Sequence, residues 1–575
     1  MKKCCSLLSL FVLSTALFLP VAATAQWPQW ALNSQHTGNT TITGQAPDQT
    51  IVDILYDPLV PQEQYWSGGD LLVHYQAPLV DNNDVYMVFK SGSFNPHSYA
   101  TEVWSEKKLS WSGNQLLVQW TYTSDWVPPG GLSSYETDEN LWEPVFHPAL
   151  SGPYIYIPGG GGSILKVRKS DGSVVKRINP FTSKNNTFVV SPITVDSSGN
   201  VYYNVLQLSA TGGNFYDNDA RDSWLVKVDA SDNARTISYQ TLTPGAPKPK
   251  DNCYTQFPSS QLPWPPSPSA VPPTSACGTQ RVGLNLAPAV APDGTIYSVT
   301  RSHFNDGYGY LVAANPDLTP KWNASLRDRF NDGCWSGINQ NGSILPANGD
   351  PAGGCRVGAN SGVDPATNRS GAGKVLDSSS STPTIAPDGS ILYGAYTRYN
   401  YAQGHLMHFA PDGSYLGAYN NFGWDTTSAI YSHNGTWSVV EKENHYGGVG
   451  SYCNDNYWCP PDRSLAPVKE GYFISQLDPT LMNVEWQFQN TNFNQSNPNG
   501  YEWCVNAPLV DANGTVYANS EDGRLYAIPQ GGAASTYVFQ QLAIGAAYTP
   551  TSIGPDGRIY TQNDGHLFVA TSAGP

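Results

Sequence analysis

Short apolar runs separated by turn residues recur along most of this chain. Residues 287–297 read APAVAPDGTIY, which is an apolar run, an Asp-Gly turn and a second apolar run. Residues 382–392 and 507–517 repeat the pattern, and weaker copies occur at 77–86, 191–202 and 549–560. A tight turn between two apolar runs predicts a β-hairpin. Hairpins that return along the whole chain predict a repeat protein built from strands.

A second repeat adds two strands to each hairpin. Motifs of the form Gly-x-Leu or Gly-x-Phe occur at 309–312, 404–407, 471–474, 523–526 and 565–568, and a final strand carries Trp322 or Trp486 in two units. We therefore predict an all-β fold, a β-propeller of eight four-stranded blades. Seven blades is the alternative, because the unit at Ser428 lacks the proline that opens the others. The predicted first strands begin near Pro78, Pro148, Pro192, Pro288, Pro383, Ser428, Pro508 and Pro550.

The last unit is one strand short. Residues 51–56 (IVDILY) are the candidate for the missing outer strand, which would close the ring and remove an exposed sheet edge. A free N-terminal arm is the alternative. Charged residues make up 13% of the chain, and the 54 glycines and 45 prolines fit a fold rich in turns. A single propeller domain over residues 26–575 accounts for the whole pattern.

The first 25 residues predict a signal peptide. Lys2 and Lys3 precede the apolar segment 7–19, and the small residues 23–25 form a cleavage site. We therefore expect a periplasmic or secreted protein, and no later apolar run is long enough to span a membrane. The net charge of −16 argues against nucleic acid or an anionic membrane as a partner. We expect a monomer.

Seven cysteines follow the signal peptide, and export to an oxidising compartment favours disulfides. Proximity in sequence predicts three pairs and leaves Cys504 free or exchanging into the last pair. Metal binding is the competing interpretation, but no CxxC or HxxxH spacing supports it. The predicted pairs are Cys253 with Cys277, Cys334 with Cys355, and Cys453 with Cys459.

The long segments are predicted to emerge on one face of the ring. In a four-stranded blade, links from the second to the third strand and links to the next blade share a face, which we call the loop face. All seven cysteines fall in such segments. Long, cross-linked loops on a rigid scaffold are typical binding elements. The segments are 122–143, 243–286, 326–381 and 489–505 between blades, and 92–100, 209–223 and 441–470 within blades.

Aromatic residues in these loops are candidates for ligand binding. Trp335, Trp458, Trp503 and Tyr399 lie among Asn, Asp, Gly and Ser. Aromatic faces beside polar edges suit a polyhydroxylated or polymeric ligand. The alternative is that these rings fill small cores within the loops.

Ionisable candidates cluster at the loop-face ends of second strands. They are Arg301, His303, Arg398, Glu441 and His445. His147 immediately precedes a first strand, which predicts a side chain directed into the central channel. Each is a candidate general acid or base if it is paired in a cleft, and otherwise a solvated surface group. The sequence has no nucleophile elbow, P-loop or dinucleotide motif.

The segment 27–38 (WPQWALNSQHTG) and the Asp-Gly hairpins resemble pyrroloquinoline-quinone-like propeller repeat proteins over residues 26–575. That superfamily includes quinoprotein alcohol dehydrogenases and a propeller scaffold of outer-membrane protein assembly. The resemblance implies the propeller fold. In the dehydrogenases it implies a quinone held over the ring centre by a tryptophan and a vicinal disulfide, beside calcium and a catalytic carboxylate. Here the adjacent Cys4 and Cys5 fall in the signal peptide, and no residues match the calcium ligands.

We therefore expect an exported propeller that recognises a small molecule, a glycan or a protein on its loop face without catalysis. The alternatives are a quinone- and calcium-dependent oxidoreductase and a polysaccharide lyase or hydrolase.

Overall fold

The structure is a computed structural model, and its strands form eight four-stranded antiparallel sheets that we number blades 1 to 8. It describes residues 26–69, 71–130, 143–209, 215–216, 218–255, 271, 273–329, 363–364, 369–370, 373–396, 404–423, 425–445, 471–490, 492–495, 497–498, 500–533, 535–541 and 547–574. Successive blades pack against each other, and blade 1 packs against blade 8. The predicted β-propeller is therefore confirmed.

The first four blades contain the following strands. Blade 1 has Leu79–Asp81, Asp84–Gly92, Glu102–Ser112 and Gln115–Thr123, and blade 2 has Ala149–Ser151, Tyr154–Gly159, Ser163–Arg168 and Val174–Ile178. Blades 3 and 4 have an innermost strand in two pieces. Blade 3 has Thr187–Val189 with Thr194–Val195, then Val201–Leu208, Ala220–Val228 and Ala234–Ser238; blade 4 has Gln280–Val282 with Ala289–Val290, then Ile296–Ser302, Asn305–Ala314 and Pro320–Ser325.

The other four blades complete the ring. Blade 5 has Thr384–Ile385, Ile391–Tyr396, Gly404–Phe409 and Tyr415–Phe422, and blade 6 has Ala429–His433, Thr436–His445, Gly471–Leu477 and Val484–Gln489. Blade 7 has Leu509–Val510, Val516–Asn519, Arg524–Ile528 and Thr536–Phe539, and blade 8 has Ser552–Ile553, Ile559–Asn563, His566–Thr571 and Gln49–Leu55. The unit at Ser428 forms a full blade, so the ring has eight blades rather than seven.

The ring closes through its N-terminal strand. Gln49–Leu55 pairs antiparallel with His566–Thr571, so that Val52 lies opposite Val569. This strand completes blade 8, as predicted from residues 51–56. Across the same seam, the indole Nε1 of Trp111 in blade 1 donates to the Tyr560 hydroxyl of blade 8 at 2.7 Å. The N-terminal and C-terminal strands of the fold therefore pair with each other, and the edge of the last sheet strand His566–Thr571 is covered.

The Asp-Gly turns require glycine where the backbone enters the left-handed region. Gly294 has φ +83, and an added Cβ would lie 2.9 Å from Pro316 Cγ. Such a turn reverses the chain between Val290 and Ile296, which pair across the hairpin. The links on this side of the ring, which we call the hairpin face, are short. They include 82–83, 291–295, 386–390 and 511–515.

The segment 27–48 runs around the centre of the ring and contacts the blades in chain order. Its hydrogen bonds reach an innermost strand or its turn in every blade: Trp27 with Val80, Pro28 with Leu150, Gln29 with Val195, Ser34 with Val290, Gln35 with Ile385, Thr37 with Ile430, Gly38 with Val510, and Gln45 with Gly557. Trp30 is buried and donates from Nε1 to Thr427 Oγ1 at 3.1 Å. The chain therefore fills its own channel, and we call residues 27–48 the central segment.

Glycine is required at one point of the central segment. Gly38 has φ +61, and an added Cβ would lie 2.8 Å from the Pro508 carbonyl oxygen. This close approach gives a physical reason for the last residue of the WPQWALNSQHTG motif.

Helices are few among the described residues. They are the α-helices Val60–Ser67 and Tyr239–Leu242 and the 3₁₀-helices Tyr99–Thr101 and Gly160–Gly162. None of the helices in this part of the chain has the length and apolar character that a membrane-spanning helix needs. Three two-stranded ladders complete the secondary structure: Val73–His74 with Ala547–Tyr548, Asn252–Tyr254 with Thr274–Ala276, and Val363–Asp364 with Arg369–Ser370.

Candidate functional site

Arg301 and His303, which were predicted from sequence, meet a buried aspartate on the loop face. Asp377 accepts from Arg281 Nη1 at 2.9 Å and from Arg281 Nη2 at 2.6 Å, and Arg301 Nη1 lies 3.3 Å from Asp377 Oδ2. The Tyr216 hydroxyl and the Leu284 amide also donate to this carboxylate. Arg281 and Arg301 lie on strands of blade 4, Tyr216 lies in a link within blade 3, and Asp377 lies in the connection from blade 4 to blade 5. We call Arg281, Arg301 and Asp377 the arginine–aspartate hub.

The hub is buried, and its charges are fixed. The side chains of Arg281, Arg301 and Asp377 are at most 4% exposed. Burial alone would raise the pKa of Asp377, but the two guanidinium groups outweigh it and hold that pKa well below its usual range. His303 accepts at Nδ1 from Arg281 Nε at 2.9 Å, and burial, then the two arginines, lower the pKa of His303. His303 is therefore neutral and oriented by Arg281.

Next to the hub, His74 and Asn285 join four connections between blades at the ring axis. His74 Nε2 donates to the Ser378 carbonyl at 2.8 Å, and His74 Nδ1 lies 3.3 Å from Asn285 Nδ2. Asn285 Nδ2 also donates to the Asp377 carbonyl at 2.9 Å, while its Oδ1 accepts from the Val145 amide at 2.8 Å. Burial lowers the pKa of His74 to about 4. The polar side-chain atoms of His74 and Asn285 therefore bond to the chain itself.

His147, predicted to face the central channel, is buried against Trp30 of the central segment. Its ring packs edge-on against Trp30 at 5.5 Å between centroids, and its Nδ1 donates to the Pro148 carbonyl at 2.8 Å. The side chain is fully buried, and burial lowers its pKa to about 4. His147 therefore packs against the central segment.

Glu441 lies in the second strand of blade 6 with Lys442 and Glu443. It is fully buried, and burial followed by the charge of Glu443 raises the pKa of Glu441 well above its usual value. Lys442, on the other face of the strand, donates to Asp425 Oδ1 at 2.7 Å. Gln487 Nε2 donates to Glu443 Oε2 at 3.0 Å.

Trp503 is fully buried in the space between blades 6 and 7. Its ring lies 5.1 Å from Tyr526 and 6.1 Å from Phe488, centroid to centroid. In this position the indole has no exposed face. His445 ends the strand Thr436–His445. The predicted residues Arg398, Tyr399, Trp335 and Trp458 lie outside the described residues.

The disulfide between Cys253 and Cys277 is present and confirms the first predicted pair. Cys504 is a buried free cysteine, and its thiol donates to Glu521 Oε1 at 3.1 Å. The predicted pairs Cys334 with Cys355 and Cys453 with Cys459 lie outside the described residues and stay predictions.

Two exposed aromatic side chains flank the disulfide on the loop face. Tyr254 is 39% exposed and Phe304 is 37% exposed. The Phe304 amide donates to the Cys277 carbonyl at 3.0 Å, and Asn305 Nδ2 donates to the Tyr254 carbonyl at 3.1 Å. The disulfide hairpin is thus fastened to the second-to-third-strand link of blade 4. We call Tyr254 and Phe304 the aromatic pair.

The sequence prediction missed the aromatic pair, Arg281, Asp377 and His74. A local signal existed for the aromatic pair, since Tyr254 follows Cys253 and Phe304 follows His303. Asp377 and His74 lie in connections without the apolar periodicity of the strands, so the neighbouring sequence gave no sign that they belong to the site.

His74, Asn285 and Asp377 do not form a site for a quinone cofactor with calcium. A flat cofactor over the ring centre needs an open cradle, and a calcium ion needs free oxygen ligands. At the described axis, His74 and Asn285 bond to each other and to neighbouring backbone, and Asp377 is taken up by two arginines. These residues provide neither the cradle nor the free oxygens.

Comparisons with solved structures return proteins of the two groups that the sequence resemblance named. A europium-containing methanol dehydrogenase is 11% identical, with 93% of this chain and 89% of that chain covered and a TM-score of 0.48. A quinohemoprotein alcohol dehydrogenase from Comamonas testosteroni is 12% identical, with 96% and 81% covered and a TM-score of 0.47. BamB from Moraxella catarrhalis is 12% identical, with 91% and 99% covered and a TM-score of 0.39.

A scan of protein-family models gives no match, and a search of curated proteins gives none either. At these identities and TM-scores, the similar structures carry no argument about activity, and the eight-bladed architecture rests on the strand pairing of the chain itself.

Proposed function

We propose that this chain is an exported, non-catalytic propeller that binds a ligand or a partner on its loop face. The observation that carries the proposal is that the centre of the ring is filled by the chain's own residues. The central segment bonds to all eight blades, and His74, Asn285 and the arginine–aspartate hub cover the axis on the loop-face side. Recognition is thereby directed to the loops.

The state of the ionisable groups supports binding over catalysis. A general acid or base must reach the proton that it transfers. Arg301, His303, His147 and Glu441 are each at most 3% exposed. Arg301 and His303 are held by Asp377 and Arg281, and His147 packs on Trp30. These contacts suggest that Arg301, His303 and His147 stabilise the ring.

The asymmetry of the connections supports recognition on the loop face. Among the described residues, the link from blade 3 to blade 4, with 243–255 and 273–279, lies on that face, while hairpin-face links such as 386–390 are short. Long loops on a rigid scaffold are common binding elements. The aromatic pair adds exposed ring surface, held in place by the disulfide and by backbone hydrogen bonds.

Stacking aromatics beside polar backbone favour a glycan as the ligand to test first. The first experiment is a glycan array with the mature chain, followed by calorimetry on each glycan that binds. The double variant Tyr254→Ala/Phe304→Ala should weaken binding by roughly 1 to 3 kcal/mol if the rings are stacking anchors.

The matched control is Met482→Ala, because Met482 is 79% exposed on the hairpin face. This variant should bind the glycan with the same affinity as the unmodified chain. Equal losses in both variants, or no loss in either, would place the site elsewhere.

Two further measurements separate binding from catalysis. Incubating each bound glycan with the chain and analysing the products should show no cleavage; release of shorter chains would establish a lyase or hydrolase. Dye reduction with added quinone and calcium should stay at background. A rate that requires both additives would establish the oxidoreductase alternative.

A further inference from the structure

A cavity of about 410 Å³ lies at the seam between blade 8 and blade 1, at the end of the closing strand Gln49–Leu55. One side is apolar and includes Leu55, which ends that strand, and Pro58, which follows it. We call this space the seam cavity. Its other side is formed by blade 1 and includes Phe89, Ser105, Lys107 and Thr121.

The blade 1 side of the seam cavity is a regular sheet surface. Ser105 lies opposite Phe89, and Lys107 lies opposite Thr121. Directly opposite residues on antiparallel strands share a face, and so do residues two apart on one strand. These four side chains therefore stand on one face of blade 1, the face that lines the cavity.

Backbone hydrogen bonds fix the distance between the two sides. The Lys90 amide of blade 1 donates to the Tyr56 carbonyl at 2.8 Å, and the Tyr56 amide donates to the Gly565 carbonyl of blade 8 at 2.9 Å. Tyr56 directly follows Leu55, so both bonds lie beside the apolar side of the cavity. The seam cavity therefore has preformed walls, as most small-molecule sites do.

The ammonium group of Lys107 has no anionic partner within the described residues. Its Nζ lies 3.9 Å from the centre of the Phe89 ring, and the side chain is half-buried. The ring attracts the charge through its π electrons, but it offers no lone pair to the three ammonium protons. Neither a carboxylate nor another hydrogen-bond acceptor of the described chain contacts this nitrogen.

In this respect Lys107 differs from every other buried or half-buried lysine in the described ranges. The chain has 46 acidic residues against 30 Lys and Arg, so acidic partners are plentiful. Lys90, which also lines the seam cavity, lies 2.7 Å from Glu63 Oε1 and from Glu143 Oε2, so its charge is already balanced. The others are Lys108, Lys166, Lys169, Lys374 and Lys442, which contact aspartates, and Lys227, which donates to the Pro316 carbonyl.

The lining of the seam cavity indicates the chemistry of its ligand. Among the described residues no carboxylate lines it, so the uncompensated charge of Lys107 favours an anion. The Thr121 hydroxyl on the same face can donate a hydrogen bond to that anion. Leu55 is 50% exposed and, with Pro58, offers apolar surface that favours an organic anion over an inorganic one. The volume equals that of about fourteen water molecules at about 30 Å³ each, which suits a small molecule.

We propose that the seam cavity binds a small organic acid, whose carboxylate pairs with Lys107 and whose apolar part lies against Leu55 and Pro58. Because the acid contacts both blade 8 and blade 1, it also stabilises the seam where the ring closes. The site uses neither the aromatic pair nor the residues at the axis. It is therefore independent of what the loop face binds.

The test is calorimetric titration of the full mature chain with hexanoate at neutral pH and constant ionic strength. We expect saturable binding with a dissociation constant of about 0.3 to 3 mM, the range for a ligand with about eight non-hydrogen atoms. Acetate should bind about tenfold more weakly or worse, because it lacks four methylene groups. Phosphate should bind more weakly than hexanoate, and hexylammonium, which has the opposite charge, should not bind.

Lys107→Met tests the position of the carboxylate. Methionine keeps an unbranched chain over the Phe89 ring but removes the charge, so hexanoate binding should weaken about tenfold or more. Lys107→Arg keeps the charge and should restore most of the affinity. The matched control is Lys176→Met on the outer strand of blade 2, where the lysine side chain is 47% exposed. It changes the net charge by the same amount and should bind hexanoate as the unmodified chain does.

Three results would overturn the proposal. The first is no binding of hexanoate by the unmodified chain up to about ten times the upper expected dissociation constant. The second is phosphate or acetate binding as tightly as hexanoate, because the apolar side would then contribute nothing. The third is an equal loss in Lys107→Met and Lys176→Met, which would reveal a general effect of charge. The comparison of ligands on the unmodified chain decides the matter even if a variant fails to fold.

Discussion

Replacing Asp377 by asparagine tests whether the arginine–aspartate hub stabilises the loop face. The amide has nearly the same shape as the carboxylate, but it removes the negative charge that faces two guanidinium groups. Arg281 loses one of two short hydrogen bonds, now 2.6 and 2.9 Å, and Arg301 loses its ion pair. Removing one partner of a buried ion pair destabilises by about 3 to 5 kcal/mol.

The assay is urea denaturation followed by tryptophan fluorescence. The control Asp293→Asn, at a turn residue whose side chain is 65% exposed, should change the unfolding free energy by less than about 0.5 kcal/mol. In the double variant Arg301→Met/Asp377→Asn, one of the two unpaired charges is gone, so the combined loss should be smaller than the sum of the single losses. A loss below about 1 kcal/mol for Asp377→Asn would refute the reasoning.

Three other outcomes can be measured. Three buried histidines have a pKa lowered to about 4: His36, His74 and His147. The histidines of the unfolded state take up protons at a higher pH, so the free energy of unfolding should fall as the pH drops from about 6.5 to 4. His147→Gln should lessen that fall by up to about 3 kcal/mol. An identical fall in the variant would contradict this. Reducing the Cys253–Cys277 disulfide should lower the unfolding free energy by about 3 kcal/mol in denaturation curves with and without reductant, and coincident curves would count against it. Trp503→Ala should lower the free energy of unfolding by about 3 to 5 kcal/mol, because it leaves a cavity beside Tyr526. A stable variant that binds glycan more weakly would instead indicate that Trp503 stacks against the ligand.

The blades were predictable because their signals are local. Each hairpin carries its own turn residues, so even the unit at Ser428, which lacks the proline, forms the strand Ala429–His433 and a full blade. The closing strand was predictable because the last unit lacked a partner and residues 51–56 had the required apolar pattern. Arg301 was correctly placed at the loop-face end of its strand.

The buried polar networks were not predictable in the same way. Lys90 lies among four buried carboxylates, those of Asp57, Glu63, Glu102 and Glu143. These residues are far apart in sequence, and no local pattern links them. One signal was present, since Lys90 continues the buried strand after Val88, where an apolar residue is usual. The partners of Lys90 come from the helix Val60–Ser67, from blade 1 and from the connection to blade 2. How these elements pack together is determined only in the folded chain.

The path of the central segment also bears on folding. Its contacts join residues separated by 166, 397 and 511 positions in sequence. Such distant contacts slow folding, because chain entropy is lost before the contact is gained. The segment is synthesised before any blade, yet its binding positions are complete only when the eighth sheet exists. Blades 1 to 7 can be complete before the central segment has all its partners, because its bond to Gly557 needs the C-terminal blade.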